Sequence, residues 1–196
     1  MNRYPGFDKN VIRCVELSDE ELTRLTSYYT LQRFKKNEYL LREGQVCDFE
    51  AYVLVGCFRI YYEDENLREH ILYFAVEDWW VLDIGSFISG TPSRLNIQAL
   101  EDSEVLRIDR PQKERLYREM PQLEQLFRIM NQKALAALQM RMISMLSKKA
   151  GQRLEDFTEK YPTLSQRIAQ HHIASYLGIS HEFLSKVRKN ILRKKK

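Results

Sequence analysis

Residues able to read the edges of base pairs stand at one place in this chain. Glu182, Ser185 and Lys186 are spaced i, i+3 and i+4, so a helix would carry them on one side, with His181 beside them. A carboxylate can accept from cytosine N4, and an ammonium can donate to guanine O6 and N7. Ser180, Ser185, Arg188 and Lys189 supply hydroxyls and cations of the kind that hold phosphates. The plain alternative is an ordinary charged helix surface. What surrounds these residues decides between the two.

Two helices that meet steeply through a tight turn make strict demands, and residues 170–188 meet them. A small residue is needed where the helices touch, and Ala174 stands there. The first helix must end on a residue that accepts positive φ, which Gly178 does. The second needs an N-cap, and Ser180 offers a hydroxyl. Ile173, Leu177, Ile179, Leu184 and Val187 are spaced to form the shared apolar contact. The pattern predicts a helix-turn-helix. An unrelated helical hairpin packed in the same way is the rival.

Charge agrees with a phosphate-backbone partner. The chain has 196 residues and a net charge of +4, unevenly spread. Residues 148–196 hold 12 Lys and Arg against 4 Asp and Glu, while the remainder holds 19 against 23. A basic end on an acidic body suits duplex DNA.

Other chemistries find little support. Cys14, Cys47 and Cys57 form no Cys-x-x-Cys pair, and their odd number argues against a disulfide framework. His70, His171, His172 and His181 give no metal spacing, since adjacent histidines should point to different helix faces. No nucleophile elbow, phosphate loop or dinucleotide fingerprint occurs, so neither enzyme activity nor a cofactor or metal is expected. No apolar run approaches the ~20 residues of a membrane span. Residues 1–6 lack the apolar core of a secretory signal, so a cytoplasmic protein is expected.

The elements that must position the C-terminal motif read clearly. Ser18 and Glu21 form a capping box that opens a short helix toward Tyr28. From Leu31 to Asp109, short runs rich in β-branched and aromatic residues alternate with turn signals, which predicts an antiparallel barrel or roll. Pro111 marks the return to helix, and Pro121 opens a longer one that reaches about Ser147. About 26 residues at 1.5 Å each give ~39 Å, more than a small roll needs. Leu123, Phe127, Met130, Ala134 and Ala137 step by three or four and are the expected homodimer seam. A helix packed only on its own roll is the alternative. A further amphipathic helix covers residues 148–160.

With these parts in place the chain resembles the Crp/Fnr family, the regulators related to the cyclic AMP receptor protein. Glu182-Phe183-Leu184-Ser185-Lys186 is similar to the family's Glu-x-x-Ser-Arg recognition signature, with Lys186 in place of Arg. Glu43-Gly44 and Gly56 resemble its turn glycines. The resemblance implies an α+β fold in three parts: an N-terminal antiparallel β-roll of cyclic-nucleotide-binding type (1–120), a central dimerisation helix (121–147) and a C-terminal helix-turn-helix domain (148–196). It also implies a transcription regulator that binds double-stranded DNA, with RNA polymerase as a further partner. Members that bind cyclic AMP hold its phosphate with a Gly-Glu pair and, about ten residues later, an Arg beside small residues. Here those positions fall on Leu82-Asp83 and on Ser93, with Arg94 one place along. If these stand on a strand, one place puts Arg94 on the other face. The implied effector pocket at Asp83, Ser93 and Arg94 is thus altered for cyclic nucleotides, and its effector is open.

Two other functions compete. One is a ligand-binding module whose terminal helices make only protein contacts. The other is an enzyme built on a catalytic roll, which would call for a His/Glu cluster on the strands, where only His70 is found.

Overall fold

The structure is a computed structural model that describes residues 4–194, with side chains as far as Ile191. Helices α1 (Pro5–Ile12) and α2 (Asp19–Thr26) precede strands β1 (Thr30–Phe34), β2 (Tyr39–Leu41), β3 (Phe49–Val55), β4 (Phe58–Glu63), β5 (Glu69–Ala75) and β6 (Trp80–Val81). Helix α3 (Ile84–Ser89) separates these from β7 (Asn96–Ala99) and β8 (Ser103–Asp109). Six helices follow: α4 (Arg110–Glu119), α5 (Leu123–Ser147), α6 (Ala150–Lys160), α7 (Leu164–Arg167), α8 (Gln170–Leu177) and α9 (His181–Lys194).

The strands form two four-stranded sheets, ordered β1-β8-β3-β6 and β2-β7-β4-β5. This is the expected roll, and the whole is the expected α+β fold. Period-two alternation turns Phe49, Ala51 and Val53 of one sheet and Phe58, Ile60, Ile97 and Ala99 of the other into a shared core. Their polar neighbour Gln98 is buried as well, which simple alternation does not anticipate. Arg59, its cross-strand partner, donates to it at 2.8 and 2.6 Å, and Gln98 in turn donates to the Asn37 carbonyl at 2.9 Å. Paired in this way, the buried amide keeps its hydrogen bonds.

Two turns carry the expected glycines. Gly44 and Gly56 have φ of 85° and 98°. A Cβ at Gly56 would stand 2.1 Å from the Ser103 hydroxyl, so only glycine fits. The Ser18–Glu21 capping box is formed, with bonds of 3.2 and 2.8 Å.

A second core lies under the helices that flank the roll. It joins Phe7, Val11, Leu25, Tyr52, Leu106, Ile108 and Leu116 to Leu123, Leu126 and Phe127 at the start of α5. Beside it Lys113 of α4 and Glu50 of β3 form a buried ion pair, and the Lys113 ammonium stands 3.9 Å over the Phe127 ring.

The chain divides into two compact units within α5. One comprises Met1–Tyr62 and Tyr73–Gln132, the other Glu63–Leu72 and Lys133–Lys196. The second unit has its own core, in which Phe157, Tyr161 and Tyr176 meet ring to ring at 5.3–6.1 Å among Leu154, Leu164, Ile173 and Leu184. The tip of the β4–β5 hairpin belongs to it. Ser175 of α8 donates to the Glu69 carbonyl at 2.6 Å and accepts from the Ile71 amide at 3.1 Å.

Candidate nucleic-acid interface and effector pocket

The turn between α8 and α9 is built as its residues require. Gly178 ends α8 in the left-handed region, with φ 65°. Ser180 caps α9, its hydroxyl accepting from the Phe183 amide at 3.2 Å. Ile173, Ala174, Leu177, Leu184 and Val187 are buried and Ile179 is half-buried, so the two helices share the predicted apolar contact.

That burial fixes which side of α9 faces outward. Ser180, His181, Glu182, Ser185, Lys186 and Lys189 are exposed, and Arg188 is partly so. Glu182 is held as a carboxylate. A hydrogen bond from its own backbone amide, then one from Ser180, keep its carboxyl below the usual range. The outward face thus offers a fixed acceptor at Glu182 and a mobile donor at Lys186. Phe183 is exposed too, at 48%, an apolar ring on the same surface. Sequence reasoning passed over it, although a large aromatic at a position that the apolar pattern does not need was the available signal. Arg193, also in α9, lies outside the described side chains.

The histidine expectation requires correction at one point. His171 and His172 do not diverge; at the first turn of α8 their ring centroids are 3.9 Å apart. No group of three metal-ligating side chains occurs among the described residues. No helix among them is long and apolar enough to cross a membrane.

In the roll, Asp83 and Ser93 come together and Arg94 does not join them. Asp83 caps α3, accepting from the Gly85 and Ser86 amides at 3.0 and 3.3 Å, while its other oxygen accepts from the Ser93 hydroxyl at 2.6 Å. Arg94 is exposed, donates to the Tyr62 hydroxyl at 3.1 Å and lies over that ring. Ser93 and Arg94 stand in the turn ahead of β7 rather than on a strand, so strand alternation is not what separates them. The hydrogen bonds of Ser93 draw it inward, and the Tyr62 ring holds Arg94 out.

The expected seam residues are divided by the fold. Leu123 is fully buried and Phe127 is 3% exposed, both in the core of their own unit, and Met130 packs at its margin. Leu123 and Phe127 thus leave almost no surface for contact with a second chain. Ala134 and Ala137 are exposed. The larger exposed apolar residues of α5 are Leu135, Leu138, Met140, Met142, Ile143, Met145 and Leu146. Of these, Leu135, Leu138, Met142 and Leu146 step by three or four as a second stripe displaced around the helix from the first.

Comparison with known proteins agrees with this architecture. Residues 31–120 match the family model of the cyclic nucleotide-binding domain. No curated protein sequence matches the chain closely enough to count as a relative. FixK2 from Bradyrhizobium japonicum superposes with a TM-score of 0.74 at 20% identity, over 85% of each chain. The c-di-GMP-responsive global regulator CLP of Xanthomonas campestris superposes with 0.72 at 16% identity, over 90% of this chain and 93% of that one. A Crp/Fnr-family transcriptional regulator from Eubacterium rectale does so with 0.71 at 15% identity, over 99% and 89%. The roll is therefore a domain of cyclic nucleotide-binding type, and the chain has the fold of the Crp/Fnr regulators.

Proposed function

We propose that this chain is a cytoplasmic, homodimeric transcription regulator of Crp/Fnr type, which binds a specific duplex DNA sequence through α9 and whose sensor roll is not tuned to cyclic AMP. The observation that carries this reading is the outward face of α9. Glu182, Ser185 and Lys186 stand exposed above buried Leu184 and Val187, on a helix entered through left-handed Gly178 and capped by Ser180. Such a helix enters the major groove with its N-terminal residues at base edges, while Arg188, Lys189 and the Ser180 hydroxyl hold phosphates. Dimerisation would use the stripe Leu135, Leu138, Met142 and Leu146, whose exposure in a single chain is otherwise costly. Asp83 and Ser93, hydrogen-bonded to each other, would have to exchange a made bond for a phosphate, while Arg94 is engaged with Tyr62 instead. RNA polymerase is the further partner that the resemblance implies.

Selection of bound duplexes from a random pool tests the reading. A two-fold symmetric site is expected, with half-sites about one helical turn apart. Recovery of unrelated sequences, or retention on DNA no stronger than on another polyanion at equal salt, would return the terminal helices to a protein-contact role.

A further inference from the structure

A cleft of about 450 Å³ lies within the second compact unit, between the later half of α5 and helices α6 and α8. Its walls include Met140, Ile143, Phe157 and Leu177. On α5 this side is turned away from Met142, since successive residues advance by about 100° around a helix. The cleft borders the exposed stripe at Met145 but is lined by none of Leu135, Leu138, Met142 and Leu146, the residues proposed for dimerisation. Its size and apolar lining are those of a small-molecule site, ~300–1,000 Å³ with a few placed polar groups.

The polar groups are mostly cationic. Arg141, Lys148, Arg153 and Lys160 line the cleft with two carboxylates, Asp156 and Glu159. Asp156 is already engaged, accepting from Lys148 and from the Ser144 hydroxyl at 2.8 Å each. Arg153 donates to the Lys148 carbonyl at 2.8 Å, yet its Nε is buried with no acceptor among the described residues. Arg141 lies 3.7 Å over the Tyr176 ring and donates to the Ile71 and Tyr176 carbonyls at 2.9 Å, which fixes a guanidinium charge in place. Partial removal from water, and then the charge of Arg141, hold the Lys160 ammonium below its usual range. An anion placed near these two cations would reverse that effect.

We propose that this cleft binds a small amphipathic anion, a medium-chain carboxylate whose tail lies against Met140, Ile143 and Phe157 and whose head meets Lys160 near Arg141. Tyr176 and Leu177 belong to the first helix of the helix-turn-helix, so such a ligand would bridge α5 to that motif from outside the roll. Binding here does not depend on whether α9 reads DNA.

The test is a titration of the full chain, carrying ¹³C-methyl methionine, with decanoate. The Met140 signal should move saturably at millimolar concentration or below while Met142 stays still, and decylamine should have no effect. Lys160→Gln should weaken decanoate about ten-fold, the value of one charge-assisted contact. Met140→Trp should fill the cleft and abolish binding. The proposal is overturned by an unmoved Met140, by equal movement of Met140 and Met142, by equal binding of decylamine, or by unchanged affinity in Lys160→Gln. The last variant alters an exposed side chain and keeps the test decisive if Met140→Trp does not fold.

Discussion

The Ser93 hydroxyl donates to the Asp83 carboxylate at 2.6 Å, joining the two polar groups at which the family resemblance implies an effector's phosphate. Asp83 also caps α3, so both of its oxygens are engaged within the fold.

Two outcomes follow for the roll. Cyclic AMP at millimolar concentration should leave Tm unchanged; a ligand at 100 times its Kd would add ~2.7 kcal/mol. Asp83→Ala should lower stability by about 1 kcal/mol, the cost of a lost cap. A thermal shift with cyclic AMP in the parent protein would show that the Asp83–Ser93 bond yields to the phosphate.

The two stripes of α5 predict opposite failures. Leu138→Glu or Met142→Glu should give folded monomers by sedimentation, with an unchanged far-ultraviolet spectrum. Phe127→Glu should instead cost about 3–5 kcal/mol and unfold the roll, because it places a charge in a closed core. A dimer that survives Met142→Glu would place the interface elsewhere.

These stripes also mark where the sequence could and could not be read. The α8–α9 turn was legible because its requirements are local: Ala174, Gly178 and Ser180 each answer a constraint set by neighbours a few residues away. Which stripe of α5 the roll takes was not, since α5 is apolar on most of its circumference and periodicity alone cannot choose between its faces. Leu123 and Phe127 join a core with residues distant in sequence, among them Phe7, Tyr52 and Trp80, whose ring meets that of Phe127. The Asp83–Ser93 bond depends on the path of the nine residues between them, which no motif specifies. The roll itself was visible, but the burial of Gln98 by Arg59 was hidden by an alternation that marks one face as wet.

The Lys113–Glu50 pair supplies a stability test. Lys113→Met strands a buried carboxylate, so it should cost about 3–5 kcal/mol in urea unfolding. Adding Glu50→Leu should recover most of that loss, since an apolar pair of similar volume avoids both desolvation penalties. If the double variant is no more stable than Lys113→Met, Glu50 is not the source of the loss.

The outward face of α9 is tested most directly by comparing Glu182→Ala with Lys189→Ala on a cognate and a scrambled duplex at several salt concentrations. Glu182→Ala should weaken the cognate site about ten- to a hundred-fold and relax preference at one base pair, leaving the scrambled duplex nearly unaffected. Because hydrogen bonds hold the Glu182 carboxyl below the usual range, its contribution should be the same at pH 5.5 as at pH 7.5, about one and three units above an ordinary Glu. Lys189→Ala should weaken both duplexes alike and flatten the salt slope by about one unit. An equal loss of affinity for cognate and scrambled DNA in Glu182→Ala would contradict base reading by this helix.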